Sequence, residues 1–205
     1  HHAGIEEEYK ALAAANKNFT FVFDNSKSGA SLSWSYFFPE EPMPELVKYV
    51  EDADLWKWTY GQKSKDANNF LFMLENKPEE MLALFDKPTD SVLGNGSLIS
   101  RYIGITLDQD LREVEPINIA VGDRVVPFYN ITHNKSDAGN SLSKLRDKTV
   151  GLFTIKGPTI TISFRCLDKH VPSALDLAKA LGGGGHRNAS GASMRLEDFI
   201  RAIRK

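Results

Sequence analysis

The sequence predicts an α/β protein, because strand-like and helix-like segments alternate along its second half. Residues 150–155 and 159–166 have strand composition, and the second alternates cleanly between polar and apolar side chains. Residues 156–158 (K-G-P) favour a turn between them. Residues 171–181 then predict a helix. With 205 residues, the chain is long enough for one large domain or two small ones.

The first half of the chain is predicted to be mainly helical. Residues 29–38 are apolar enough for a buried helix, and Ser64 is placed to cap the helix that follows it. One segment, residues 19–23 (F-T-F-V-F), has strand composition instead. The predicted helices cover residues 5–17, 29–38, 44–52, 66–74 and 79–85. A connecting helix over residues 89–107, weakened by two glycines, sets the domain boundary near residues 87–97.

The second half begins with a predicted hairpin, in which Gly122 and Asp123 form the turn. The glycines at 182–185 are expected to end the helix before them. The predicted strands are residues 117–121, 124–131, 150–155 and 159–166, and the predicted helices are residues 141–148, 171–181 and 195–205.

Composition excludes several classes of protein. Hydrophobic residues make up 41% and charged residues 25%, as in globular proteins rather than collagen-like or disordered chains. A net charge of -2 gives no global basic field for holding long nucleic acid, although a local phosphate site stays open. The single cysteine, Cys166, excludes an internal disulfide and a multi-cysteine zinc site.

The cellular location of the protein is predicted from the lack of a membrane-spanning stretch in the sequence. No stretch approaches the 18 or so apolar residues of a membrane span, so no membrane partner is expected. The prediction is a soluble protein of the cytoplasm or an organellar matrix. The first residue is not Met, and we expect a native N-terminus upstream of it.

The glycine run at 182–185, followed by His186 and Arg187, is the most informative stretch. Consecutive glycines are costly on folding, so a domain keeps them where backbone approaches something closely. Their peptide N–H groups can form an anion-binding nest, to which His186 and Arg187 can add side-chain donors. The alternative is a long helix C-cap with a histidine on the surface.

The strand before this run also carries candidate phosphate ligands. Its alternation places Thr159, Thr161, Ser163 and Arg165 on one side. Ser163 and Arg165 can therefore project together toward a ligand, although a sheet with one solvated face explains the same pattern.

Together these segments resemble a known family. The stretch G-G-G-G-H-R-N-A-S-G resembles the G-G-G-H-x-x-A-x-G motif of the DHH-associated domain, and S-F-R at 163–165 resembles the strand before it. His1-His2 resembles the end of the family's Asp-His-His motif. Residues 25–31 resemble the S-G-A helix start of the same family, and residues 50–56 resemble its V-E-D-x-D-L-W segment. The resemblance covers nearly the whole chain and is to oligoribonuclease-like members of the DHH phosphoesterase superfamily.

This resemblance implies a division of the chain. Residues 1–88 would be the C-terminal part of a DHH domain, mostly helical. Residues 89–110 would be a connecting helix or linker. Residues 111–205 would form a DHH-associated substrate-binding domain of α/β type with a mixed sheet.

The resemblance also implies roles. Family members hold divalent metal, usually Mn²⁺, with Mg²⁺ also open here. His1, His2 and Asp52 would be catalytic, with His1 and Asp52 as metal ligands and Asp54 as the alternative to Asp52. The residues implied for substrate binding are Ser28, Gly29, Ser163, Arg165, Gly184, Gly185, His186 and Arg187. Two alternatives stay open: an affinity-tag origin for the histidines, and solvated surface acids for the aspartates.

The sequence departs from the family at its start. The earlier strands that carry a histidine, an Asp-x-Asp pair and a further aspartate are absent, as is the Asp of Asp-His-His. His1, His2 and Asp52 cannot complete a two-metal site, so this chain alone is predicted to be inactive. We expect one of three explanations: a fragment of a longer enzyme, a chain whose N-terminal part is supplied elsewhere or is absent from this sequence, or a degenerate subunit.

The function predicted first is metal-dependent phosphoester hydrolysis on short oligonucleotides or small nucleotides, since a large basic surface is lacking. The rival is a catalytically inactive relative that serves as a scaffold or nucleic-acid-binding subunit. A homodimer and a larger complex both remain open.

Overall fold

Helices form the first part of the chain, and a mixed sheet forms the centre of the second. The computed structural model describes residues 6–204, which fall into two units divided between Tyr102 and Ile103. These residues contain nine α-helices and one seven-stranded sheet, which confirms the α/β prediction. None of the described helices is long and apolar enough to cross a membrane.

The first unit is built from short helices around a small apolar core. That core comprises Leu46, Tyr49, Ala67, Leu74, Leu84 and Val92. Gly96 allows two helices to approach closely, because a Cβ there would lie 2.0 Å from the Asp66 carbonyl oxygen. The helices are α1 (Glu6–Ala15), α2 (Gly29–Phe37), α3 (Glu45–Asp54), α4 (Gln62–Met73), α5 (Pro78–Leu82) and α6 (Thr89–Glu113), the last of which crosses the division.

Three predictions for this unit are wrong. Residues 19–23 form no strand, because no described strand lies beside them, and Phe19 and Phe21 lie against the ring of Tyr9 instead. Helix α2 is not buried: Phe37 is 70% exposed. Ser64 does not cap α4, which begins two residues earlier at Gln62, and its hydroxyl is used in a buried network described below.

The second unit has a sheet with strand order β5-β6-β4-β3-β2-β1-β7. Every neighbouring pair is antiparallel except β2 and β3, which are parallel and joined through helix α7 (Lys135–Arg146). The strands are β1 (Ile117–Val121), β2 (Arg124–Asn130), β3 (Val150–Lys156), β4 (Thr159–Arg165), β5 (Gly184–Gly185), β6 (Ala189–Arg195) and β7 (Ile203–Arg204).

The two faces of this sheet are covered differently. One face packs Phe128, Ile162 and Phe164 against helices α8 (Ala174–Ala180) and α9 (Leu196–Ala202). The other, here called the α7 face, packs Tyr129, Val150 and Leu152 against Ala138 and Leu142 of α7. Helix α7 contacts β3 and β4 on this face.

Several elements of this unit differ from prediction. Helix α7 begins at Lys135 rather than at residue 141, and α8 begins at Ala174 behind a capping box of Ser173 and Asp176. Strands β5, β6 and β7 were not predicted. Strands β5 and β6 are rich in glycine, alanine and serine, which have low strand propensity, so their pairing with β4 defines them.

Candidate functional site

Strand β4 presents polar side chains on the α7 face. Its burial alternates residue by residue, with Ile160, Ile162 and Phe164 buried on the opposite face. Ser163 and Arg165 therefore lie on the same face, as the sequence pattern indicates. Ser163 pairs with Leu152 of β3, and Arg165 with Val150.

Arg165 is a cation without a counter-ion among the described residues. Its Nη1 donates to the Phe164 carbonyl at 2.9 Å and its Nη2 to the Ser136 hydroxyl at 3.2 Å. No carboxylate of residues 6–204 lies within ion-pair distance. Burial lowers the pKa of the guanidinium from its usual value. An anion bound here would offset the cost of enclosing this cation, and none of residues 6–204 supplies one.

Gly139 makes room for that arginine. A Cβ at Gly139 would lie 2.5 Å from Cγ of Arg165 and 2.8 Å from Cδ1 of Leu152. The aliphatic part of Arg165 therefore lies directly against the backbone of α7. This contact fixes the side chain close to the sheet, with its guanidinium near the first turn of α7, where Ser136 lies.

Two glycines extend the site beside Ser163. In the sheet, Ser163 of β4 pairs with Gly191 of β6, and Gly191 pairs with Gly184 of β5. Directly paired residues point to the same face. The hydroxyl of Ser163 thus borders two positions without side chains, here called the glycine platform (Gly184 and Gly191), over which a ligand can approach the backbone.

The neighbouring glycines are required by the backbone itself. A Cβ at Gly183 would lie 2.1 Å from the Gly191 carbonyl oxygen. Gly185 has φ +138, and a Cβ there would lie 2.7 Å from Cα of Ser190. The glycine run therefore allows β5 to lie tightly on β6.

A tight turn joins β5 to β6. His186 and Ala189 exchange two backbone hydrogen bonds, of 2.9 and 3.2 Å, and His186 is exposed at this turn. Arg187 has a different environment: its guanidinium donates to the Asp168 carbonyl, and its own carbonyl accepts the Leu175 N–H at 3.3 Å. Arg187 thus links the turn to the segment leading into α8.

Sequence reasoning missed Lys135 and Ser136, which lie near Arg165, and Lys156, whose charge acts on Lys135. Burial lowers the pKa of the half-buried Lys135 ammonium, and the charges of Lys156 and Arg165 lower it further. Lys135 and Ser136 were missed because the helix was predicted to begin six residues too late. The first turn of α7 contains no apolar residue before Ala138, and the next apolar contact is made by Leu142, so apolar spacing does not reveal where the helix begins.

The start of α2, predicted as an anion site, already faces a carboxylate. Ser28 is buried and caps the helix, its hydroxyl accepting the Ser31 N–H at 3.1 Å. The carboxylate of Glu51 accepts from the Ser31 hydroxyl and from the Ser28 N–H at 3.4 Å. Gly29 is exposed at this same helix start. The positive end of α2 is thus partly neutralised by the protein itself.

Asp52 lies at the centre of a buried hydrogen-bond network. Its carboxylate accepts from the Thr59 N–H at 2.7 Å, the Tyr60 N–H at 3.1 Å and the Ser64 hydroxyl at 2.5 Å. Burial alone would raise the pKa of this carboxyl, but the three hydrogen bonds outweigh it and leave the pKa below its ordinary value. Asp52 thereby anchors a turn in which Trp58 has φ +57, a left-handed conformation unusual for tryptophan.

The described residues do not build a metal site. His1 and His2, both expected to be catalytic and His1 also to bind metal, lie outside the described residues. Within residues 6–204 no three His, Cys, Asp or Glu side chains come together to hold an ion. Asp52 has its oxygens committed to hydrogen bonds, whereas Asp54 is exposed. The donor set of this part of the chain therefore does not fit the expected divalent metal.

We expect Asp52→Asn to destabilise the fold at neutral pH by about 1–3 kcal/mol, because an amide nitrogen cannot accept the bonds that the carboxylate accepts. A carboxyl with a depressed pKa stabilises the folded state above its unfolded pKa, ~3.9, and loses that effect as the pH falls. The difference between wild type and variant should therefore shrink toward pH 3. Urea unfolding at several pH values measures it.

Asp54→Asn is the matched control, since the Asp54 side chain is exposed. We expect a change within about 0.5 kcal/mol. Equal losses in the two variants, or a loss in Asp52→Asn that does not depend on pH, would contradict the role assigned to the Asp52 network.

Comparison with known sequences gives distant relatives. No family model matches the chain. Uncharacterized protein R106 of Acanthamoeba polyphaga mimivirus is 27% identical over 176 residues, covering 83% of this chain and 42% of the relative. Oligoribonuclease NrnB of Bacillus subtilis (strain 168) is 24% identical over an alignment of 227 residues, covering 97% of this chain and 55% of that protein. The chain thus spans about half the length of these curated relatives.

Two solved structures also match the chain distantly. An uncharacterized protein from Helicobacter pylori G27 matches with a TM-score of 0.33 and 17% identity, over 95% of this chain and 67% of that one. The pGpG-specific phosphodiesterase PggH from Vibrio cholerae matches with a TM-score of 0.47 and 14% identity, over 90% of this chain and 78% of that one.

Proposed function

We propose that this chain supplies substrate binding to a phosphodiesterase that acts on short oligonucleotides or small nucleotides. The observation that carries the proposal is Arg165, an enclosed cation without a carboxylate partner among the described residues, next to Ser163 and the glycine platform. The sequence similarity to an oligoribonuclease supports the same substrate class.

A phosphate group fits the donors at this place. Arg165 can present two N–H groups to two phosphate oxygens, and the Ser163 hydroxyl can donate to one of them. The glycine platform lets the ligand lie close to the strands, because no Cβ stands above Gly184 or Gly191. We assign Gly185 to holding the platform and His186 to an additional donor at its edge.

The net charge favours short substrates. Each phosphate contact needs its own cation, and a chain with a net charge of -2 has no large basic surface for a long polymer. Arg187 would contribute through the turn that carries His186, since its guanidinium is bonded to Asp168.

The remaining predicted residues belong to the same proposal. Ser28 and Gly29 would assist substrate binding at the start of α2, where a phosphate would compete with the Glu51 carboxylate for the same donors. His1, His2 and Asp52 would serve the catalytic centre, with His1 and Asp52 as ligands of Mn²⁺ or Mg²⁺, and Asp52 would then bind the ion beside or in place of the hydrogen bonds that it accepts here. Because residues 6–204 do not assemble three such ligands, hydrolysis would require groups outside them.

The test compares binding with hydrolysis. We expect the 205-residue chain to bind a dinucleotide and not to cleave it, and the full natural protein with Mn²⁺ to release mononucleotides from it. Calorimetry measures the first and chromatography of products the second. Binding without hydrolysis in the full protein would favour the inactive, nucleic-acid-binding alternative. Absence of dinucleotide binding to both proteins would refute the proposal.

A further inference from the structure

The polar surface of the sheet does not end at Ser163. On the α7 face, β3 and β4 continue with Thr154 paired to Thr161 and Lys156 paired to Thr159. Leu152, paired to Ser163, is the last apolar side chain of β3 on this face, since Thr154 and Lys156 follow it at the period of the strand. A polar strip thus leads from the glycine platform toward the hairpin between β3 and β4.

One hydroxyl in this strip lacks a partner. Thr154 Oγ1 is buried and makes no hydrogen bond to any described residue. The neighbouring Thr161 hydroxyl donates to the Thr154 carbonyl at 3.4 Å, so it does not satisfy that Oγ1 atom. A buried hydroxyl without a partner costs free energy, and such a group in a folded protein calls for an explanation. Rotation of the Thr154 side chain about its Cα–Cβ bond would bring this hydroxyl to a ligand oxygen over the strip, which would give it an acceptor.

The strip is also bordered by uncompensated positive charge. Lys135, in the first turn of α7, interacts electrostatically with both Lys156 and Arg165. None of these three cations forms an ion pair with a carboxylate of residues 6–204. Their mutual repulsion opposes folding, and an anion bound among them would relieve it.

From this arrangement we infer that Lys135, Lys156 and Thr154 form a second phosphate site, separate from the one at Arg165 and Ser163. The inference rests on the proposed function and specifies its substrate class further: a short oligonucleotide with at least two phosphates. Thr161 pairs with Thr154 and lies two residues from Ser163 on the same face of β4. The two positions are therefore separated by ~7 Å along the strand. An extended nucleotide chain can place successive phosphates along such a strip.

The experiment measures affinity for two ligands, a dinucleotide with one internal phosphate and the same dinucleotide with an added 5′-phosphate. Titrations use the full 205-residue chain in EDTA, so that no turnover occurs. We expect wild type to bind the two-phosphate ligand roughly tenfold more tightly, as two additional cation–phosphate contacts would give. The double variant Lys135→Gln/Lys156→Gln should lose more affinity for the two-phosphate ligand than for the one-phosphate ligand, and so lose that preference.

Lys179→Gln is the matched control, because Lys179 is exposed on α8, which packs against the opposite face of the sheet. It should leave the preference intact. Retention of the preference in the double variant, or an equal loss for both ligands, overturns the second site while leaving the proposed function in place. Binding of neither ligand by wild type overturns both.

Discussion

Arg165→Met is expected to weaken binding of a dinucleotide by on the order of 10- to 100-fold, the range for losing hydrogen bonds to a charged group. Methionine keeps much of the apolar stem that lies against Gly139 and removes only the guanidinium. Because that cation is enclosed without a carboxylate partner among the described residues, its removal should leave the melting temperature unchanged or raise it.

Weaker dinucleotide binding together with an unchanged or raised melting temperature would show that Arg165 binds the ligand rather than stabilising the fold. If Arg165 mainly held the sheet to α7 through Ser136, the variant would lose stability. Arg201→Met is the control, since Arg201 is exposed on α9 and pairs with Asp198 at 3.3 Å. It should change neither affinity nor stability appreciably. Calorimetric titration and thermal unfolding of the three proteins give the comparison. Wild-type affinity in Arg165→Met would remove Arg165 from the site.

The second large effect concerns two adjacent glycines. Gly183→Ala places a methyl group 2.1 Å from the Gly191 carbonyl oxygen, and we expect the free energy of unfolding to fall by about 3 kcal/mol. Gly184→Ala places its methyl in open space, with nothing within 4 Å, so stability should change little. That methyl would stand on the glycine platform, and dinucleotide binding should weaken roughly tenfold, as for a moderate overpacking cost.

Unfolding and binding of the two variants, measured side by side, separate the two roles of the glycine run. An equal loss of stability in both would mean that Gly184 is needed by the fold rather than left open for a ligand. Wild-type affinity in Gly184→Ala would mean that no ligand approaches the platform.

Local patterns predicted the strand that carries the site. The alternation of β4 can be recognised in the sequence because each side chain's exposure follows from its position along one strand. The residues that complete the site come from elsewhere in the chain. Gly191 reaches Ser163 through pairing of β6 with β4, and no local propensity marks β6 as a strand. Lys135 reaches the same face through the crossover helix.

Asp52 shows the opposite limit of sequence reasoning. Its motif predicts a metal ligand and gives no sign that the carboxylate accepts hydrogen bonds from Thr59, Tyr60 and Ser64, seven to twelve residues further along. The F-T-F-V-F segment has strand composition for the same local reasons as β4, but a strand also needs a neighbour, and none of the described strands lies beside it. The environment of Asp52 and the conformation of the F-T-F-V-F segment both depend on contacts that the local sequence pattern does not specify.

The most direct test of phosphate binding on the α7 face is a nuclear magnetic resonance titration of the ¹⁵N-labelled chain with a dinucleotide in EDTA. The account predicts that the largest shifts occur at the Arg165 Nε–H and at the amides of Ser163, Gly184 and Gly191. Shifts confined to other regions, such as the cleft between Arg124 and Pro172, or no shifts in the second unit, would contradict it.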